Sequence, residues 1–160
     1  MSNYYKSNAE IEAVVQGFES CTTPASGFTH HSHLTVAVWY LSHGTTTETV
    51  QQMRDGIFRF LDHHQVSHAK YHETLTQFWT RLVRQCLDQL NPNCSLREAV
   101  NEVIEAVGNS QVVAEYYTSE QLWSDEARKT WVEPDLKQLK QPAVEKPDDA
   151  NACAGRGLKY

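Results

Sequence analysis

The sequence predicts an all-α fold, a single compact bundle of about five main helices followed by short C-terminal helices. Three observations predict it. Apolar residues recur at one-face helical spacing in segment after segment. Capping and loop residues separate these segments. The alternating apolar and polar pattern of a half-buried strand is weak throughout.

A first helix is predicted over residues 9–18, where Ile11, Val14, Val15 and Phe18 share one face. Thr22, Thr23, Pro24, Ser26 and Gly27 then break the chain. Thr29 is placed to cap a second helix, from His30 to about His43, by accepting a first-turn N–H. Its middle, residues 34–41, is apolar nearly all round, the pattern of a central and well-covered helix. Gly44 is expected to end it in the left-handed conformation.

Thr45, Thr46 or Thr47 caps the third helix, which runs to about His64 with Val50, Met53, Ile57, Phe60, Leu61 and His64 on one stripe. Gly56 weakens that helix by roughly 1 kcal/mol relative to alanine, which suggests a close helix–helix approach. A turn over residues 65–69 leads to a fourth helix, expected from about Lys70 to Leu90. Its face carries Tyr71, Leu75, Phe78, Trp79, Leu82, Val83, Cys86 and Leu90.

Asn91, Pro92 and Asn93 stop the fourth helix. Ser95 and Glu98 then have capping-box spacing for a fifth. This one turns Leu96, Val100, Val103, Ile104 and Val107 inward and ends at Gly108. Ser119 and Ser124 are expected to cap short helices, and Tyr116, Tyr117, Trp123 and Trp131 to complete the core or form a docked lid. The domain is expected to span residues 1–136. Residues 137–160 are rich in Lys, Gln, Pro, Asp and Gly and read as a disordered tail.

The 160 residues fit one domain, and 40% hydrophobic content supports one core. A net charge of −6 argues against a nucleic-acid footprint, which needs clustered Lys and Arg. No apolar run approaches the ~20 residues needed to cross a bilayer, and no signal-peptide pattern opens the chain. The expectation is a cytoplasmic protein with no nucleic-acid or membrane partner. Cys21, Cys86, Cys94 and Cys153 form no CxxC pair and read as free thiols.

Histidine carries the candidate chemistry. His30, His31 and His33 fall in one stretch, and His63, His64, His68 and His72 in another. Short loops make successive helices antiparallel, so the start of the second helix, the end of the third and the start of the fourth meet at one end. His43 is left at the other end. At about 100° per residue, His30, His33, His64 and His72 face inward, whereas His31 and His63 face outward. His68 and Lys70 fall in a turn that reads as solvated.

His30 and His33, one turn apart, with His72 from a neighbouring helix, are the candidate ligands of a divalent metal ion. Zinc takes three protein ligands plus water, and two histidines with a carboxylate suit iron(II). Glu73 or His64 is the candidate fourth ligand or general base, and Asp62 a water-bridged carboxylate. Metal-bound water, its pKa lowered toward ~7, attacks ester, amide or phosphate bonds. Arg54 and Arg59 stand either as surface charge or as holders of an anionic substrate. The chain has no HExxH motif, no helical Glu-x-x-His pair, no phosphate-binding glycine loop and no nucleophile elbow.

Each residue also has a plainer reading. His30 and His33 can face solvent or cap in a first turn, and His72 can be a buried histidine that donates to a backbone carbonyl. The run Phe28-Thr29-His30-x-x-His33-Leu34, then Met53-Arg54, then Lys70-Tyr71-His72-Glu73-Thr74, then Tyr116-Tyr117 followed by Leu122, resembles a family of small bacterial proteins of unassigned function. The resemblance covers residues 9–135 and implies no catalytic residues. The sequence therefore points to a small metal-dependent enzyme acting on a small molecule. Its alternative is a non-catalytic helical module that binds a ligand or partner, with structural or pH-responsive histidines.

Overall fold

The computed structural model describes residues 3–140. Among the described residues every regular element is helical. The main helices are α1 (Asn8–Glu19), α2 (His30–Leu41), α3 (Thr46–His63), α4 (Glu73–Asp88) and α5 (Leu96–Val107). Two short ones follow, α6 (Ser119–Leu122) and α7 (Asp125–Lys129). Short 3-10 segments occupy Ala25–Gly27, His68–Lys70 and Ser110–Glu115.

Capping chemistry sets most of the boundaries. Ser7, Thr29, Thr45 and Ser95 each accept from the backbone N–H three residues on, and Glu10, Ser32, Glu48 and Glu98 bond back to the capping residue's own N–H. Ser124 caps α7, but α6 is capped by Thr118, with Ser119 as its first residue. The fourth helix begins at Glu73 and not at Lys70. Residues 68–70 close a 3-10 turn under Ser67, and the extended backbone of His72 makes it the N-cap.

Gly44 does not end α2 in the left-handed conformation, for no described glycine has positive φ. The helix stops at Leu41, and the Ser42 hydroxyl donates to the freed Trp39 carbonyl, which His43 Nδ1 also approaches at 2.7 Å. Side chains do there what a glycine turn does elsewhere. The left-handed residues are Cys21 (φ 62°), just after α1, and Gln65 (φ 56°), just after α3. At Gln65 the ladder ends in a Schellman pair: Val66 N–H donates to Leu61 O and Gln65 N–H to Asp62 O.

α2 packs against α1, α3, α4 and α5, as its all-round apolar middle requires. The larger core cluster joins Leu34, Val38 and Leu41 of α2 to Phe78, Leu82 and Val83 of α4 and Val100, Val103 and Ile104 of α5. A second cluster joins Val15 and Phe18 of α1, Val36 and Tyr40 of α2, and Met53 and Phe60 of α3. Gly56 marks the α1–α3 contact, because a Cβ there would stand 2.5 Å from the Phe18 ring.

The C-terminal segment returns along α4. Thr74 Oγ1 donates to Thr130 O and accepts from Val132 N–H, while Tyr117 OH donates to Val132 O. Leu136 N–H donates to Tyr116 O, and Lys140 N–H to Gln85 Oε1. Of residues 137–140, read as tail from their composition, Lys140 is thus tied to α4 through its backbone amide. The rest of the expected tail, residues 141–160, lies outside the described residues, as does Cys153. Cys21, Cys86 and Cys94 are free thiols. Among the described residues no helix is long and apolar enough to cross a membrane.

Candidate functional site

His30, His33 and His72 meet at an open-sided cavity of about 360 Å³ between α2, α3 and α4. Ala37, Met53, Ile57, Leu75 and Trp79 make most of its wall apolar. Tyr71, Thr76, Thr80, Lys70 and Ser110 complete it. This is the size and lining of a small-molecule pocket: an apolar body with a few polar groups converging on it.

The capping box at Thr29 starts α2 at His30, which puts His30, His31 and His33 in its first turns. His30 Nε2 lies 3.2 Å from Val107 O at the end of α5, and its ring meets the Trp79 indole edge-on at 4.4 Å. His33 Nδ1 lies 3.1 Å from Thr29 O, and its ring is 4.4 Å from that of Phe28. A carbonyl oxygen can only accept, so the nitrogen facing it carries the proton. The neutral ring then keeps a lone pair on the other nitrogen, Nδ1 in His30 and Nε2 in His33. Burial holds both imidazoles below the ordinary histidine range, His33 down to about 4.

His72 is spent differently. Its Nδ1 accepts the Leu75 N–H at 3.1 Å, capping α4. Its Nε2 donates to Leu122 O at 2.8 Å, tying that cap to α6. Both nitrogens are occupied, so His72 has no lone pair left for a metal. The expected trio shares a cavity but not a ligand geometry. Among the described residues no group of three or more His, Cys, Asp or Glu side chains is placed to hold a metal ion. Burial also lowers the His72 pKa, with Arg128 adding to the effect and the Leu122 bond opposing it.

The two candidate bases lie off the cavity wall. Glu73 is buried, and its carboxylate accepts from Arg54 Nε at 3.0 Å and Nη2 at 2.5 Å. It also accepts from Gln77 Nε2 and from the Tyr71 hydroxyl at 2.7 Å. Burial alone would raise its pKa, but these bonds outweigh burial and hold it at about 2. A carboxylate so held is a weak base, and its lone pairs are directed at four donors of the chain. His64 caps the end of α3 with its ring on Phe60 at 4.4 Å, and its buried Nε2 has no hydrogen-bond partner among the described residues. Asp62 is exposed and paired with His68, 2.6 Å away.

His63 is exposed as expected, but His31 is half-buried, its ring edge-on to that of Tyr4 at 5.3 Å. Arg59 is exposed, whereas Arg54 is the partner of a buried acid and not free surface charge. One signal pointed to that role: Arg54 sits four residues after Val50 and three before Ile57, on the edge of the buried stripe of α3. Nothing in the sequence marks Ser110 as part of the wall.

A wider groove of about 800 Å³ adjoins this network, lined by Arg54, Gln77, Arg81, Arg84 and Trp131 among others. Its arginines are already engaged. Arg54 holds Glu73, Arg81 bonds Gln77 and stacks 4.1 Å from the Trp131 ring, and Arg84 pairs with Asp88. Glu73 thus links Tyr71 of the cavity wall to Arg54 and Gln77 of the groove wall.

No family model, curated protein or solved structure matches this chain. Its function is therefore argued from the site itself.

Proposed function

We propose that the protein binds a small, largely apolar molecule in the cavity between α2, α3 and α4. The observation that carries this reading is the juxtaposition of His30 and His33, each held neutral with one nitrogen uncommitted, in a 360 Å³ pocket whose wall is otherwise mainly apolar. Pockets with perturbed titratable groups and a few convergent polar atoms are where ligands and substrates bind. The same two imidazoles, their tautomers fixed by backbone carbonyls, serve as hydrogen-bond acceptors, and the burial that lowers their pKa makes them weak bases, so binding comes before catalysis in this reading.

A metal-dependent enzyme using zinc or iron stands second. What favours it is the pair of carbonyl bonds, since histidine ligands commonly donate their other N–H to a carbonyl or carboxylate. Against it, His72 has no nitrogen to give and no carboxylate lines the cavity.

Methyl NMR with toluene as probe tests the first reading, alongside elemental analysis of untagged protein prepared without chelator or immobilised metal. Saturable shifts confined to Ala37, Met53, Ile57 and Leu75 are expected, and they should vanish when Thr80→Phe fills the cavity. Scattered or absent shifts would overturn the pocket. Stoichiometric zinc or iron, lost in folded His30→Ala and His33→Ala variants, would put the metal reading first.

A further inference from the structure

Resting on the cavity as the ligand site, we infer that its ligand is a neutral ring compound with a hydrogen-bond donor, a phenol or an N–H heterocycle, whose donor is accepted by His33 Nε2. Thr29 O takes the Nδ1 proton of His33, so Nε2 is left as an acceptor at the tip of a ring that lines the cavity. His30 offers the lesser site. Its tip nitrogen is the one bound to Val107 O, which leaves only Nδ1, next to its own backbone. Donors on the wall are the hydroxyls of Tyr71, Thr76, Thr80 and Ser110, the Trp79 indole N–H and Lys70.

Those hydroxyls are largely committed. Tyr71 donates to Glu73, Thr76 to His72 O and Thr80 to Thr76 O. The wall's main uncommitted polar capacity on α2 is therefore that of an acceptor, and an acceptor selects a donor.

The same wall disfavours charge. Lys70 is the charged side chain that lines it, and it is exposed, so a ligand cation meets no carboxylate. An anion at His33 would need an imidazolium, which burial opposes, and the Lys70 ammonium is exposed, where solvent screens it. Trp79, Leu75, Met53 and Ile57 suit the flat apolar body of such a molecule.

The experiment compares four probes of similar size by methyl NMR at pH 7.5: phenol, toluene, benzoate and benzylamine. Phenol is expected to bind roughly fivefold to tenfold more tightly than toluene, the worth of about one hydrogen bond. In His33→Phe, which keeps a ring but no acceptor, the two should bind alike, and in His30→Phe the preference for phenol should persist. Equal binding of phenol and toluene by the parent would overturn the donor assignment and leave the pocket standing. So would tighter binding of benzoate or benzylamine. Failure of every probe in a folded parent would overturn the pocket itself. Should His33→Phe not fold, His33→Gln, whose amide oxygen also accepts, is expected to retain part of the preference, and its complete loss there would count against the assignment.

Discussion

Arg54 reaches from α3 to hold the Glu73 carboxylate, at the first residue of α4, through Nε at 3.0 Å and Nη2 at 2.5 Å. The bidentate geometry, the burial of Glu73 and the added bonds from Gln77 and Tyr71 make this more than a surface pair. Arg54→Met leaves a buried carboxylate without its cation and is expected to cost about 3 kcal/mol in urea unfolding. Combining it with Glu73→Leu removes the orphaned charge and should recover more than half of that loss. A double variant no more stable than the single one would show that the loss does not come from the orphaned carboxylate.

His72 fastens α4 to α6 with one ring. Replacing it with alanine removes the Nδ1 cap and the Nε2 bond to Leu122 O together, an expected loss of about 2 kcal/mol. His72→Asn keeps an N-cap acceptor and should lose only about half as much. Amide hydrogen exchange locates the effect: Leu75 N–H should exchange faster in the alanine variant and stay protected in the asparagine variant.

Helix order, the central place of α2 and the convergence of His30, His33 and His72 were legible because each follows from spacing and short loops. The 3.6-residue period fixes a face, and antiparallel neighbours fix an end. The roles of the converging side chains were not legible in the same way. Whether His72 binds a ligand or caps a helix depends on the extended backbone at that one residue, and its second partner, Leu122 O, lies fifty residues along the chain. On a helical wheel begun at Lys70, Glu73 lies off the apolar arc. Once α4 starts at Glu73, that side chain belongs to a helix N-terminus facing Arg54, and its burial makes sense. The left-handed residue after α3 is a glutamine, so no glycine signalled the turn.

That glutamine gives a stabilising substitution. Gln65 holds φ at 56°, where an L side chain crowds the backbone, and the Schellman bonds around it require that conformation. Gln65→Gly relieves the crowding at some cost in unfolded-chain entropy, and a net gain of about 0.5–1 kcal/mol is expected in thermal or urea unfolding. No gain would mean that the exposed side chain already compensates locally.

Gly56 should behave in the opposite sense. Alanine has the better helix propensity by roughly 1 kcal/mol. Its Cβ, however, would meet the fully buried Phe18 ring, which packs against Phe28 at 4.7 Å and Phe60 at 5.9 Å. Overpacking of this kind costs about 1–3 kcal/mol, so Gly56→Ala is expected to destabilise in urea despite its propensity. A more stable variant would show that α1 and α3 can move apart freely.

Acid should weaken the fold before any carboxylate titrates. His30, His33 and His72 all have folded pKa values below the ordinary 6.5, each chiefly because burial disfavours the imidazolium. Above pH 6.5 neither the folded nor the unfolded chain protonates them, and they contribute no pH dependence. As pH falls below 6.5, the unfolded chain takes up protons that the folded one refuses, and stability declines until the folded values are reached, about 4 for His33. His72 adds a structural cause, since a proton on Nδ1 removes the acceptor that caps α4. Between pH 7.5 and 5.5 each enclosed histidine is expected to withdraw about 1 kcal/mol or less, reduced where the ring is partly solvated. Urea midpoints should therefore fall steadily across that range, and less steeply in His72→Asn. Glu73, held at about 2, acts lower down, its contribution present above pH ~4.5 and lost between there and 2. A midpoint that stays level from pH 7.5 to 5.5 would mean that the three rings protonate as readily in the folded chain as in the unfolded one, and the neutral acceptor assigned to His33 would fall with it.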